Sequence, residues 1–286
     1  MRHGFLLLRK PKGPTSHDVV AQVRRALGER SVGHLGTLDP HATGLLVVAV
    51  GAKALKVVEL FVGLPKSYRA SVRFGAVSTT YDAEGVIEPV AARPGWEPPD
   101  ESVLRRTIEQ HFRGSIQQVP PAFSAIKVHG VPAHRSARAG NAPVMKPRTV
   151  EITRCAIASY AYPSLVLDLD CSSGTYIRSL AHDLGQVLRC GAYLEGLDRT
   201  SVGLWQSANA VAPEDAAWSR VLPLKEVLRE NPAITVTDEE YEHLRHGRAI
   251  DREVAADVIA WHDGLPVAIL LPLRDGSRGC RARKVF

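Results

Sequence analysis

The chain has 286 residues, 45% hydrophobic and 23% charged, and its 36 Lys and Arg outnumber 30 Asp and Glu for a net charge of +6. This composition excludes a disordered polypeptide, and no run reaches the ~18 apolar residues that a membrane-spanning helix needs. Cys155, Cys171, Cys190 and Cys280 form no C-x-x-C pair and no metal-type spacing, so reduced thiols in a soluble cytoplasmic protein are expected, and the basic surplus suits a polyanionic partner.

In chain order, "GFLLLR" predicts a strand, its apolar part too short for a signal-peptide core, and "KPKGPT" the loop that ends it. Ser16 is the expected cap of the helix "HDVVAQVRRAL", where Val19, Val20, Val23, Ala26 and Leu27 recur at helical spacing. "LLVVAV" (45–50) reads as a buried strand. "KSYRASVRF" (66–74) alternates Tyr68, Ala70, Val72 and Phe74 with Arg69, Ser71 and Arg73, as a half-exposed strand does. "SVLRRTIEQHF" (102–112) predicts a helix and "SLVLDLDC" (164–171) a strand, followed by the turn "SSG" and a helix capped by Thr175. Such mixing predicts an α+β (mixed α/β) domain over residues 1–225, with a proline-containing connection beginning at about residue 211. Residues 231–286 open acidic and end in "RDGSRGCRARKVF", which predicts a small β-rich module with a basic face.

The stretch "RSVGHLGTLDPHATGLLVV" (30–48) carries Asp39, the only acid between Glu29 and Glu59. Asp followed by Pro suits a helix N-cap and first position. His34, Asp39 and His41 could together hold a metal, although the spacing matches no zinc pattern. Alternatively Asp39, in a loop opened by Gly33, Gly36 and Gly44, is a working carboxylate, since carboxylates act as nucleophiles at sugar carbons. Arg178 would stand third in its helix, where the dipole disfavours a cation, and a carboxylate such as Asp39 would resolve that conflict. Tyr68, beside Arg69 and Arg73, is either core or a platform for a base. Basic groups recur from Lys10 and Lys12 to Arg278–Lys284, and their interleaving with aromatics favours a nucleic-acid ligand.

At "GHLGTLDPHATGLL" the chain resembles the TruB family of bacterial tRNA pseudouridine-55 synthases. "LLLRKPKGPTSHDVV" is similar to that family's N-terminal segment, "KSYRASVRFG" to its tyrosine-bearing strand with "DAEG" (82–85) following, "FRGSIQQVPPAFSAIKVHG" (112–130) to its central block and "CSSGTYIRSLAHDLG" (171–185) to its arginine motif. The blocks are collinear across residues 5 to about 205. The resemblance implies a catalytic domain on a largely antiparallel mixed sheet with flanking helices, plus a short PUA-like RNA-binding module. It implies isomerisation of uridine 55 in the tRNA T-loop by base flipping, glycosidic cleavage and rejoining through C5, with no cofactor or metal. Asp39, Tyr68 and Arg178 would be catalytic, and His34, Gly36, Thr37, Lys10 and Lys127 would bind substrate or support the fold. The expected partner is tRNA, met by a monomer without guide RNA or protein partner. The alternative is a tRNA-folding chaperone on the same scaffold. Arg9, Leu55 and Ser78-Thr79-Thr80 depart from the family pattern.

Overall fold

The computed structural model describes residues 3–91, 93–128, 130–273 and 278–286, so Arg2, His129 of the central block and the first four residues of the basic terminal segment lie outside it. The larger unit runs β1 (Gly4–Lys10), α1 (Ser16–Leu27), β2 (Thr43–Val50), β3 (Lys66–Phe74), α2 (Glu101–His111), β4 (Gly114–Gln118), β5 (Arg148–Ala161), β6 (Ser164–Cys171), α3 (Ile177–Val187) and β7 (Ala192–Val202). These strands join one ten-stranded sheet in the order Leu222–Pro223, β1, β2, β7, β3, β6, β5, β4, with two short strands beside it. Among the described residues, only β2 and β7 pair in parallel within this sheet.

The apolar runs of β1 and β2 follow from burial on both faces. Leu6, Leu8, Leu46 and Val48 pack under the Val19–Val20–Val23 stripe of α1. Phe5, Leu7, Leu45 and Val47 face the other way, toward Phe61 and the C-terminal module. A third core seats α2 and α3 on β3, β6 and β7 through Leu104, Ile108, Leu180 and Leu184. At roughly 1.5–3 kcal/mol for each fully buried large aliphatic side chain, these layers hold the sheet that carries the site.

Two helix starts differ from expectation. Thr15, not Ser16, caps α1: its hydroxyl accepts from Asp18 N while the Asp18 carboxylate accepts from Thr15 N, a reciprocal capping box. Ser16 is thereby free to donate to Leu38 O and accept from Leu38 N, at 3.0 and 2.9 Å. Helix α3 begins at Ile177, so Arg178 is its second residue rather than its third. Thr175 turns back onto Ser172 O instead of capping, and the Gln118 amide on β4 takes both backbone groups of Tyr176 at 2.9 and 2.8 Å.

The segment expected to connect two units adheres to the main sheet. Val211 exchanges backbone bonds with Leu7 and Arg9, and Leu222–Pro223 pairs with Gly4 and Phe5. Beyond it, β8 (Ala233–Thr235), α4 (Asp238–Arg245), β9 (Val258–His262), β10 (Leu265–Pro272) and β11 (Cys280–Val285) build a separate four-stranded sheet around Leu244, Ala268 and Leu270. Its Ile259 and Ile269 dock against Phe5 and Leu45. Arg283 and Lys284, expected to meet phosphates, are instead drawn to Glu59 at 2.8 and 2.9 Å, with Arg283 also 2.8 Å from Asp257. Arg283 and Lys284 thus tie this edge to the larger unit.

Candidate active site

Asp39 opens a β-turn, not a helix: Ala42 N donates to Asp39 O at 3.1 Å, with Pro40 preset for the second position. The loop before it bends at Gly36, whose φ of 133° disfavours any residue with a Cβ. Three groups from the first βα connection fix the turn from behind. Gly13 N donates to Pro40 O at 2.8 Å, and Ser16 holds both backbone groups of Leu38. Lys10 is fully buried and its Nζ donates to the carbonyls of Pro11, Pro40 and Ala42 at 2.8, 3.1 and 2.8 Å. Burial pulls the Lys10 ammonium down to about 8 against the attraction of Asp39. This lysine supports the loop and does not face solvent.

Across the turn, the first residues of α3 deliver Arg178. Its Nε lies 3.0 Å from Asp39 Oδ2, an ion-pair distance with poor hydrogen-bond alignment, and its Nη2 donates to Asp39 Oδ1 at 3.4 Å. Nη1 lies 3.3 Å from Asp82 Oδ2 and donates to Thr80 O at 3.2 Å, while Nη2 also donates to Phe123 O at 3.0 Å. The second carboxylate is itself held by the Thr80 hydroxyl and by Glu84 N, and His41 Nδ1 lies 3.6 Å from it. Side-chain exposure separates the roles: Asp82, His41 and Arg178 are 4%, 2% and 6% exposed, whereas Asp39 is 37% exposed. One carboxylate of the network is open to solvent, and the groups behind it are buried.

Two carboxylates beside Arg178 account for a cation in the first turn of a helix, where the dipole alone disfavours it. Donor atoms of Asp39, His41 and Asp82 lie within 4.8 Å of one another, a spacing compatible with a metal ion. The guanidinium between the two acids already supplies a fixed cation there. The fit is better for an arginine bridge than for a metal centre.

Tyr68 on β3 is 8% exposed and pairs across the sheet with Leu169 on β6 and Arg199 on β7. Burial raises its phenol above the ordinary tyrosine value, and the Arg199 guanidinium opposes that shift. His34 is half-buried, accepts from Gly36 N through Nδ1 at 3.3 Å and meets the His17 ring edge-on at 5.4 Å. Burial, with His17 and Arg199 adding to it, lowers His34 to about 4, so its ring is neutral at ordinary pH. Thr37 is exposed at the loop crest. Lys127 is exposed in the short hairpin Lys127–Val128/Val131–Pro132, four positions beyond Phe123; among the described residues it makes no bond to the cluster.

Of the expected departures, Arg9 pairs with Asp198 at 3.3 Å, Leu55 lies at the surface, and the Ser78–Thr80 turn is wired to Asp82 through the Ser78 and Thr80 hydroxyls. Asp82, Gln118 and Arg199 were not singled out by the sequence. "DAEG" flagged the first only as part of a block, Gln118 lies in another, and an arginine alternating in "EGLDRTSV" reads as a solvated strand residue.

Residues 24–177 match the family described as TruB family pseudouridylate synthase (N terminal domain). The chain is 41% identical over 254 residues to tRNA pseudouridine synthase B of Heliobacterium modesticaldum, covering 86% of this chain and 81% of that protein. It is 37% identical over 278 residues to the protein of that name from Syntrophotalea carbinolica, covering 94% and 89%. Among solved structures, a Cbf5-Nop10-Gar1 complex superposes with a TM-score of 0.73 at 23% identity, covering 99% of this chain and 84% of that one. An H/ACA RNP bound to a substrate RNA containing 2'-deoxyuridine gives 0.71 at 22%, with coverages of 99% and 84%. At such identities the structural likeness speaks for the shared fold.

Proposed function

The chain belongs to the TruB family of pseudouridylate synthases, and on that premise we propose that it isomerises uridine 55 of the tRNA T-loop to pseudouridine with Asp39 as the catalytic carboxylate. A uridine in a folded T-loop is unreachable within its stack and must be extruded, at a cost of a few kcal/mol. The half-buried His34 and exposed Thr37 flank the mouth of the loop and suit contact with the opened strand. Their neighbour Gly36 carries no Cβ, which lets RNA backbone approach closely.

Once the base is out, the Asp39 carboxylate meets the sugar or the base with Arg178 behind it. Charge-assisted bonds from a guanidinium keep a carboxylate ionised and aimed, which a nucleophile or a base at the ribose requires. The buried Asp82 holds the other side of that guanidinium, so Arg178 has one orientation. Tyr68 sits in the apolar floor and suits stacking on the extruded ring while the glycosidic bond is broken and the base turns. C5 then bonds to C1′, and the C5 proton departs. The four-stranded C-terminal sheet is proposed as a PUA-like module gripping the tRNA beyond the loop through bases such as Arg281, which stays exposed. The reading needs no guide RNA and no partner chain.

The observation that carries it is a single open carboxylate on a buried two-acid arginine bridge. The test is tritium release from tRNA bearing tritium at uridine C5, with EDTA present, for the parent and Asp39→Ala. Release by the parent alone, with both proteins binding tRNA, is the expected result. A parent that binds tRNA and releases nothing would leave the folding-chaperone reading in its place.

A further inference from the structure

Arg199 is 2% exposed and among the largest fully buried side chains, yet it forms no ion pair among the described residues. Burying a guanidinium without a counterion is expensive, so its bonds must be extensive. Nε donates to Leu45 O at 2.7 Å, Nη2 to Gly36 O at 3.1 Å and Nη1 to Thr37 O at 3.5 Å. Tyr68 is its neighbour, and the Arg199 charge acts on the phenol. That proximity follows from register: Arg199 and Tyr68 are direct partners on β7 and β3, and paired residues of an antiparallel ladder leave the same face. On its other side Arg199 pairs with Gly44 of β2, where a Cβ would stand 2.3 Å from Arg199 O. The backbone of Arg199 is thus seated between the catalytic strand and the catalytic loop.

We infer that Arg199 is a positioning residue for the isomerisation, clamping the Gly36 and Thr37 carbonyls from the strand position directly beside Tyr68, so that the Asp39 loop and the Tyr68 ring keep one mutual geometry. The inference rests on the isomerase reading for its kinetic consequence. Lysine cannot reproduce the spread of these three bonds, because its donors radiate from one atom whereas the guanidinium spreads five in a plane. A neutral side chain of similar length takes that donor away from the carbonyls and the charge away from the phenol.

The first experiment is single-turnover tritium release at saturating tRNA for Arg199→Lys, Tyr68→Phe and the double variant, with tRNA binding and thermal melting measured on each. Arg199→Lys is expected to fold and to bind tRNA within about threefold of the parent while the rate falls on the order of 10²-fold, the scale of a misplaced reacting group. In the Tyr68→Phe background the same change should cost at least about fivefold less, since contacting residues couple. A rate within threefold of the parent, or losses that multiply independently, overturns the inference.

The second readout does not depend on activity. The ultraviolet titration of Tyr68, taken as the difference from Tyr68→Phe, should move to higher pH in Arg199→Met. The charged and titratable groups that act on this phenol are Arg199, Cys171 and Asp39, and only the first favours the phenolate. An unmoved titration in a folded Arg199→Met removes the clamp. If the parent releases no tritium but the titration moves, the isomerase reading fails and the clamp stands as a structural device. If Arg199→Met does not fold, the lysine cycle decides alone.

Discussion

Replacing Asp82 by Asn isolates the rear half of the arginine bridge. The amide is isosteric, and its oxygen can still accept from the Thr80 hydroxyl and from Glu84 N as Oδ1 does now. What changes is the atom facing Arg178: Oδ2, 3.3 Å from Nη1, becomes an NH2 that points donor to donor. Removing one member of a buried pair costs about 3–5 kcal/mol when the remaining charge has no other partner. Arg178 keeps Asp39 and two carbonyls, so a loss of about 2–3 kcal/mol is expected, or roughly 5–10 °C in melting temperature. The guanidinium is then free to swing with the more exposed Asp39, and a carboxylate that loses its aim should lose about 10²–10³-fold in single-turnover tritium release. Binding of tRNA, which Asp82 at 4% exposure cannot touch, should change by less than about threefold. Calorimetry, single-turnover release and filter binding on one preparation suffice. An Asp82→Asn enzyme with a parental rate and melting point would refute the claim that this carboxylate orients Arg178.

Three further outcomes follow from the same geometry. Lys10→Met takes a donor from three carbonyls in the buried floor, of which Pro40 O keeps Gly13 N, so stability should fall by about 2–4 kcal/mol and activity with it, measured by denaturant unfolding and tritium release; an unaffected variant would show that the lysine does not hold the turn. His34, lowered to about 4, stays neutral from pH 5.5 to 8, so His34→Gln should weaken tRNA binding by the same factor at both ends of that range, and a penalty that grows at low pH would contradict a neutral ring. Asp183, on the helix that carries Arg178, is raised to about 6 by desolvation, so the folded state binds its proton more tightly than the unfolded chain. Its cost is therefore present above pH 6 and fades as pH falls toward 4, so Asp183→Asn should stabilise by about 1 kcal/mol at pH 7.5, allowing for its partial exposure, and by nothing near pH 3.5; equal melting points at pH 7.5 would refute it.

Local rules made much of this architecture readable. The strands at 66–74 and 164–171 were legible to the residue because each alternates or runs apolar over its whole length with turn residues at both ends. Helix starts were less so, since Thr15 and Ser16 offer caps of similar quality, and at Thr175 the better local cap gives way to a partner from elsewhere in the fold. Ser16 was needed by Leu38, and Gln118, from a distant strand, took the role at Tyr176. The adherence of residues 211–223 to β1 was equally hidden, because edge pairing by a proline-containing segment leaves no periodic signal.

What the sequence determined by itself was the strands and helices with a clear period, though not the strands 148–161 and 192–202, together with a small β module at the C-terminal end and Asp39, Tyr68 and Arg178 as residues worth singling out. These follow from short-range periodicity and from collinear motifs that resist chance. What only the tertiary structure decided was who stands behind them. Asp82 lies 43 positions from Asp39 and Arg199 lies 131 positions from Tyr68, separations over which no local spacing rule operates. Their partnership is set by a strand register and by the first turn of α3 meeting a loop beside β1, and a buried charge is recognisable only when the groups that surround it are in place.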